Sequence, residues 1–148
     1  MAVTYRVDID DRQINAALNR LIALGQSPVE VMQDIAIYGE NTTRGRFQAE
    51  TGPGGKAWKP SIRVQQKGGK TLTEFDHLRK SITNRSGSDF AEWGSSDLPY
   101  AAIHQIGGKA GRLHKVTIPA RPYLGIDARD EDSIVDIVNQ HLAGAVNG

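Results

Sequence analysis

The sequence predicts an α+β fold in which helices cover a small antiparallel sheet. Amphipathic helical runs lie near both ends of the chain, and short alternating runs separated by turns lie between them. A chain of 148 residues can bury about two-thirds of its unfolded surface in one core. We therefore expect a single domain over residues 1–148, with a flexible loop at about 51–70 and a C-terminal tail at 144–148.

The chain begins with a predicted strand and helix. Residues 3–9 alternate between apolar and polar side chains, which predicts a half-buried strand. A helix follows, which Asp10 or Asp11 can cap and which Gly25 ends. Its expected inward face comprises Ile14, Ala17, Leu18, Leu21 and Leu24.

The run SPVE at residues 27–30 is a strong start signal for a second helix. Ser27 can accept a backbone hydrogen bond, Glu30 can reach back, and proline suits the first helical position. The helix is expected to end near Gln48, although Gly39 weakens it. The residues expected to face inward are Val29, Met32, Ile35 and Ala36, with Phe47 one helical stripe on from Thr43.

Residues 51–70 contain the turn signals GPGG, KP and KGGK. A loop of this length within a compact domain is usually functional or disordered. Trp58 is its one aromatic side chain, and it either fixes the loop to the core or contacts a partner. Thr71 or Thr73 can then cap a short helix with Phe75, Leu78 and Ile82 at helical spacing. Two strands, at 81–85 and 89–94, follow around a Ser-Gly turn.

Residues 100–126 are the most informative stretch. Tyr100, Ile103 and Ile106 have helical spacing, and a glycine pair ends that helix. Residues 113–118 then alternate as a strand, with Val116 and Ile118 on one face. Two prolines in PARPYLGI each remove a backbone donor, so this segment cannot be a central strand or a helix. We expect it to be extended and to hold Tyr123, Leu124 and Ile126 against the body.

A closing helix is predicted over residues 130–142. Its inward residues are Ile134, Ile137, Val138 and Leu142, acidic residues complement the helix dipole at its start, and Gly144 ends it. The strands at 3–9, 81–85, 89–94 and 113–118 are expected to form one antiparallel sheet. The two N-terminal helices and the closing helix would cover one face of that sheet.

A net charge of +1 conceals two basic regions. Residues 51–73 contain five lysines and arginines without an acid, and residues 98–126 contain four, again without an acid. Acidic residues gather near both termini. This separation suits either nucleic acid on the basic side or head-to-tail self-association, and it is equally consistent with solvated loops.

The sequence contains few signals of catalytic or metal chemistry. The chain has no cysteine, which excludes disulfides and thiolate metal sites, and the four histidines lack metal-ligand spacing. His104 could act as a base, but no nucleophile motif or nearby acid accompanies it, so we interpret it as a packing histidine. We therefore expect no enzyme activity, no cofactor and no metal. The absence of a long apolar run predicts no membrane helix, and the charged N-terminus predicts a protein synthesised in the cytosol.

Several motifs occur in an order that resembles a known family. YAAIHQIGG and IPARPYLGI, at the two ends of the informative stretch, accompany LRKSI at 78–82 and a Trp-Gly pair at 93–94. RFQ at 46–48 and PGGKAWKP at 53–60 precede them. The ordered set, over roughly residues 3–142, resembles the phage virion morphogenesis (tail completion) family of Mu-like tailed phages and prophages.

The resemblance implies a structural protein of tail completion or head–tail joining that acts as a ring, for which a hexamer is one candidate size. Its implied partners are other neck, tail or head-completion proteins. Its implied location is the head–tail junction or tail end of the virion, after assembly in the host cytoplasm. The alternative is a sequence-neutral nucleic-acid-binding module, with residues 56–70 and 109–121 as a basic footprint and Trp58 stacking on bases.

Two patches of opposite charge are the candidate contacts between subunits. The basic turn and proline segment of one copy would meet the acidic helix start of the next, since ring closure requires two different patches. Tyr123 and Leu124 would be either apolar anchors of this interface or buried within their own subunit. The full set of candidate interface residues is Lys56, Trp58, Lys59, Arg63, Lys109, Arg112, Lys115, Arg121, Tyr123, Leu124, Asp130, Glu131 and Asp132.

Overall fold

The computed structural model describes residues 12–71, 77–95, 101–110 and 112–147. The mixture of helices and strands confirms the α+β class. The predicted strand at 3–9, together with Thr73, Phe75 and Tyr100, lies outside the described residues. The helices are α1 Arg12–Ala23, α2 Val29–Ala49, α3 Ile62–Lys67, α4 His77–Lys80, α5 Ala101–Ile106 and α6 Ala128–Asn147. The strands are β1 Ile82–Ser86, β2 Ala91–Ser95, β3 Gly108–Ala110 and β4 Val116–Ile118, and 3₁₀ turns occur at Pro53–Gly55 and Arg112–His114.

One hydrophobic cluster joins α1, the first half of α2, and α6. The predicted inward face of α1 is confirmed at Ile14, Ala17 and Leu21, but Leu24 lies past the helix end and is 48% exposed. The prediction for α2 is wrong at its first position. Val29 is exposed and Val31 is buried, because the inward stripe continues from Val31 to Ile35. The buried members of the cluster are Ile14, Ala17, Leu21, Val31, Ile35, Ile134, Val135, Val138 and Leu142.

Gly39 is a packing requirement of α2 and not a weak point in the helix. A Cβ atom at this position would lie 2.0 Å from the Trp93 ring, so glycine allows the β1–β2 hairpin to approach the helix. One turn later, the buried Thr43 hydroxyl donates to the Gly39 carbonyl at 2.7 Å. The second half of α2 therefore carries the hairpin, and its last turn faces a second cluster.

The expectation of one four-stranded sheet is wrong within the described residues. β1 pairs with β2, from Ile82 opposite Ser95 to Ser86 opposite Ala91, and β3 pairs with β4 in a separate antiparallel sheet. The predicted strand at 113–118 is shortened because a 3₁₀ turn occupies Arg112–His114. β4 forms its ladder with the residues just before that turn, which is the most local pairing available to it.

The second hydrophobic cluster gathers residues from distant parts of the chain. Its members are Phe47, Trp58, Leu78, Ile82, Ala101, Tyr123 and Leu124. The region at 51–70 is not one structureless loop. Thr51 pairs with Ala57, and α3 begins where the Ser61 hydroxyl accepts from the Val64 N–H at 3.2 Å. Mobility of this region remains a prediction.

The closing helix is longer than expected. It continues through Gly144 to Asn147, so residues 144–147 are helical. A glycine within a helix costs only about 1 kcal/mol relative to alanine, which packing elsewhere along α6 outweighs. In the part of the chain that the structure describes, no helix has the length and apolar character needed to cross a membrane.

Candidate functional site

The residues from Arg121 to Asp127, which we call the anchored segment, lie between β4 and α6. As Pro119 and Pro122 predict, it has no regular secondary structure, so its backbone groups need other partners. Gln105 of α5 makes hydrogen bonds to three of these groups. Its Oε1 accepts from the N–H groups of Tyr123 and Leu124 at 3.0 Å each, and its Nε2 donates to the Leu124 carbonyl at 2.9 Å.

Arg46 of α2 binds the same segment from the opposite side. Its Nη1 donates to the carbonyls of Tyr123 at 3.1 Å and Gly125 at 3.0 Å. Its Nη2 lies 2.6 Å from Asp130 Oδ2, and both side chains are almost fully buried. The hydroxyl of Tyr38 donates to the other Asp130 oxygen at 2.7 Å. Asp130 is therefore an internal partner of Arg46, which corrects the expectation that it belongs to an exposed acidic surface.

Asp127 and Asp130 cap α6 reciprocally. Asp127 Oδ1 accepts from the Asp130 N–H, and Asp130 Oδ2 accepts from the Asp127 N–H, both at 3.0 Å. Asp127 Oδ2 also accepts from the Gly54 N–H at 2.7 Å, which links the 3₁₀ turn to the helix start. Desolvation acts to raise the pKa of Asp127. The hydrogen bonds from Gly54 and Asp130 and the nearby Arg46 cation outweigh it, so the pKa lies below its usual value.

Trp58 fixes the 51–60 region to the anchored segment. Its indole N–H donates to the Pro122 carbonyl at 2.7 Å, and its ring packs edge-on against Phe47. Of the two roles open to Trp58, the structure shows the one within the subunit. Only 7% of Trp58 is exposed, so the expectation that it stacks on bases is not met in this arrangement. Gly52 makes the approach possible, since a Cβ there would lie 2.7 Å from the Pro122 carbonyl oxygen.

Arg121, Tyr123 and Leu124 are also buried within their own subunit. Arg121 Nε donates to the Lys59 carbonyl at 2.7 Å, and the backbone N–H of Arg121 donates to the His104 carbonyl at 2.8 Å. The Tyr123 hydroxyl donates to the Ala101 carbonyl at 2.9 Å, and burial raises its pKa despite the Ser95 hydrogen bond. These contacts correct the expectation that Arg121 is a surface cation, and they leave Tyr123 and Leu124 only 1% and 3% exposed.

Two features bear on chemistry at this site. Burial lowers the pKa of His104, and the Arg121 cation lowers it further, which favours the neutral imidazole. An open cleft of about 690 Å³ borders the Arg46–Asp130 pair and is lined by Tyr38, glycines of the 51–55 region and residues at the start of α6. The described residues contain no cluster of three or more metal-ligating side chains.

The residues from Gly108 to Ile118, which we call the basic hairpin, contrast with this buried network. Lys109, Arg112 and Lys115 are all exposed. Leu113 at the turn is 74% exposed and Val116 is 52% exposed, while Ile106, just before the hairpin, is 69% exposed. Sequence reasoning identified the three cations and placed Val116 on one face of a strand, but it did not single out Leu113, which lies between Arg112 and Lys115 in the sequence.

The remaining candidate residues are separate surface charges. Lys56, Lys59, Glu131 and Asp132 are exposed, and Arg63 is half-buried and donates to the Lys70 carbonyl at 2.7 Å. The structure thus collects Trp58, Arg121, Tyr123, Leu124 and Asp130 into one internal network. Their organisers, Arg46 and Gln105, were not predicted, although both lie in the quoted motifs RFQ and YAAIHQIGG.

The chain is similar to known proteins over most of its length. The chain is 36% identical over 137 residues to the Mu-like prophage FluMu G protein 2 of Haemophilus influenzae, covering 92% of this chain and 94% of that protein. It is 32% identical over 155 residues to the putative capsid assembly protein G of Escherichia phage Mu, covering 99% of each. No solved structure matches the chain. The model of the phage virion morphogenesis family matches residues 9–143, and the chain therefore belongs to this family.

Proposed function

We propose that this protein is a non-enzymatic structural component of phage assembly that completes the tail or joins it to the head. Membership of the virion morphogenesis family supports the assembly role, and so does the name of the phage Mu relative, a putative capsid assembly protein. In this proposal, copies of the chain form a ring and contact other neck, tail or head-completion proteins of the virion.

The basic hairpin is the single observation that carries the proposal. It combines exposed large apolar side chains with three cations, whereas Arg121, Tyr123 and Leu124 in the segment that follows it are buried. Apolar side chains hold protein contacts, while charges around them set register and steer association. A heterologous contact between this hairpin and a different, acidic surface of the next copy can close a ring.

Sedimentation velocity and multi-angle light scattering test this proposal directly. The unmodified chain is expected to form an oligomer of one defined size, and that size gives the number of subunits in the ring. The double variant Arg112→Glu/Lys115→Glu is expected to remain folded by circular dichroism but to raise the dissociation constant about tenfold or more. A chain that stays monomeric at every concentration would rule out ring assembly.

The matched control reverses two other exposed cations, Lys56 and Lys59, to glutamate. This variant is expected to assemble like the unmodified chain. If it alone loses assembly, the interface lies on residues 56–70 and the basic hairpin has no part in it.

The exposure of Lys56, Lys59, Lys67 and Lys70 favours a second candidate function, a sequence-neutral contact with nucleic acid. Burial of Trp58 removes the stacking group expected for it, so any binding would be electrostatic. Titration of a random-sequence duplex at increasing salt tests it. Binding that weakens steeply with salt and is lost in the Lys56/Lys59 variant, with assembly intact, would favour this function.

A further inference from the structure

We propose that the basic hairpin of one copy docks into a groove on the next copy, where the carboxyl end of α6 meets the start of α2. This inference rests on the proposed function, because it names the surface that receives the hairpin. The groove has a volume of about 520 Å³ and is lined by Gln26, Glu30, Gln140, His141, Gly144 and Ala145.

Exposed apolar residues lie close in the sequence to the residues that line this groove. Leu24 and Val29 lie on either side of Gln26 in the chain and are 48% and 46% exposed, and Val146, next to Ala145, is 64% exposed. Isolated exposed apolar residues are common, but several in the short segments that line a groove favour a contact surface there. Leu24, Val29 and Val146 are thus the side chains of this region that could contact Leu113, Val116 and Ile106 of the neighbouring copy.

The charge of the groove is opposite to that of the hairpin. Glu30 lies in the lining, which includes no lysine or arginine, and Asp34 follows one helical turn later, 2.7 Å from His141 Nε2. The last turn of α6 contains no basic residue, so its terminal carbonyls retain the negative end of the helix dipole. Cations from a neighbouring subunit would be stabilised here.

The start of α6, the surface expected from the sequence to receive the hairpin, is a poorer match. Asp130 is buried against Arg46, which leaves Glu131 and Asp132, and Arg129 beside them is an exposed cation. Among the described residues, the exposed large apolar side chains include none in the first turn of α6. Of these two surfaces, the groove is the one that has an acidic lining residue with exposed apolar residues beside it in the chain.

A charge-swap experiment distinguishes the two surfaces. In the Arg112→Glu/Lys115→Glu background, Glu30→Lys is expected to recover about tenfold in the dissociation constant by sedimentation velocity. Glu131→Lys is the matched control, since Glu30 and Glu131 are both glutamates in the first turn of a long helix. Recovery with Glu131→Lys but not Glu30→Lys would overturn the groove proposal and leave ring assembly standing. An unimpaired hairpin variant would instead contradict the role of the hairpin in the proposed function.

Disulfide cross-linking supplies an independent measurement, because the chain has no cysteine of its own. Chains with Leu113→Cys are mixed with chains with Val146→Cys and mildly oxidised. Cross-linked dimers containing one chain of each kind are expected, and the pairs Leu113→Cys with Asp132→Cys and Leu113→Cys with Ile62→Cys serve as controls. Cross-linking that favours Asp132 over Val146 would reject the groove, as would equal yields from all three pairs.

Discussion

The basic hairpin and the anchored segment adjoin in the chain but satisfy their backbone groups in different ways. The hairpin pairs β3 with β4, so its ladder bonds are internal. The anchored segment has no ladder, and Gln105, Arg46 and Trp58 bind its carbonyls and N–H groups from three directions. The first arrangement leaves side chains exposed to solvent, whereas the second draws them into the core.

This difference explains why two neighbouring segments of similar composition differ in burial. Both parts contain cations and large apolar residues. Arg121 is buried, and its side-chain and backbone N–H groups donate to the carbonyls of Lys59 and His104. Arg112 is exposed at the turn of the hairpin. We infer that the anchored segment fixes the position from which the hairpin is presented to a partner.

Loss of Arg46 should have the largest effect on this arrangement. Arg46→Met is expected to lower the free energy of unfolding by about 3–5 kcal/mol, because it leaves Asp130 as a buried charge without its cation. Urea denaturation monitored by circular dichroism measures the change. Arg85→Ala is the control, since its exposed pair with Glu92 should contribute less than about 1 kcal/mol. Equal effects of the two variants would show that the Arg46 network does not hold the segment.

Gln105→Met should rank second. The methionine has similar length but cannot bind Tyr123 N, Leu124 N or Leu124 O, and unsatisfied buried groups cost about 1–3 kcal/mol each before relaxation. We expect a total loss of about 2–4 kcal/mol in urea denaturation. Gln65→Met, at an exposed position, should change stability by less than about 0.5 kcal/mol. A loss at Gln105 no larger than at Gln65 would contradict its bridging role.

Asp127→Asn should have a smaller effect that depends on pH. The folded-state pKa of Asp127 is below its usual value, so its contribution is complete above about pH 5 and declines as pH falls through the folded-state pKa. The variant should be less stable by about 1 kcal/mol at pH 7, and the difference should shrink in acid. Asp136→Asn, at an exposed position of α6, should change stability by less than about 0.5 kcal/mol at pH 7. A difference that grows as pH falls would show that the carboxylate is not stabilised by folding.

Local signals predicted much of the fold. Helical periodicity located α1, α2, α5 and most of α6, and the Ser-Gly turn located β1 and β2 within two residues. Ser27 accepts from the Val29 N–H at 3.3 Å, but the N-cap of α2 is Pro28, one residue later than predicted. Gly39 was misread because its meaning depends on Trp93, a residue distant in sequence. The separate pairing of β3 with β4 was missed for a related reason, since alternation indicates a strand but does not identify its neighbour.

The candidate site was predicted only in part. The prolines showed that the segment around Tyr123 lacks ladder bonds, yet nothing local showed that Gln105 and Arg46 replace them. Asp130 was interpreted through the dipole of its own helix, although its main partner lies in α2. Long polar side chains that bind distant backbone groups leave no periodic signal, so the motifs containing them were recognised without their roles.

The smallest predicted change in stability concerns Leu113, where the two regions differ most. Leu113 has φ 61°, a left-handed conformation that is unfavourable for leucine and more accessible to asparagine. Leu113→Asn should therefore leave stability unchanged or raise it by up to about 1 kcal/mol, measured by urea denaturation. If the exposed leucine anchors a neighbouring copy, the same substitution should weaken assembly in sedimentation velocity.

Leu113→Met separates these two effects, because it retains both the apolar side chain and the backbone strain. It should assemble like the unmodified chain and gain no stability. Assembly of Leu113→Asn at the unmodified level would show that the hairpin contacts its partner through charge alone. An exposed leucine in a left-handed conformation destabilises an isolated subunit. Contact of its side chain with the next copy would offset that loss of stability.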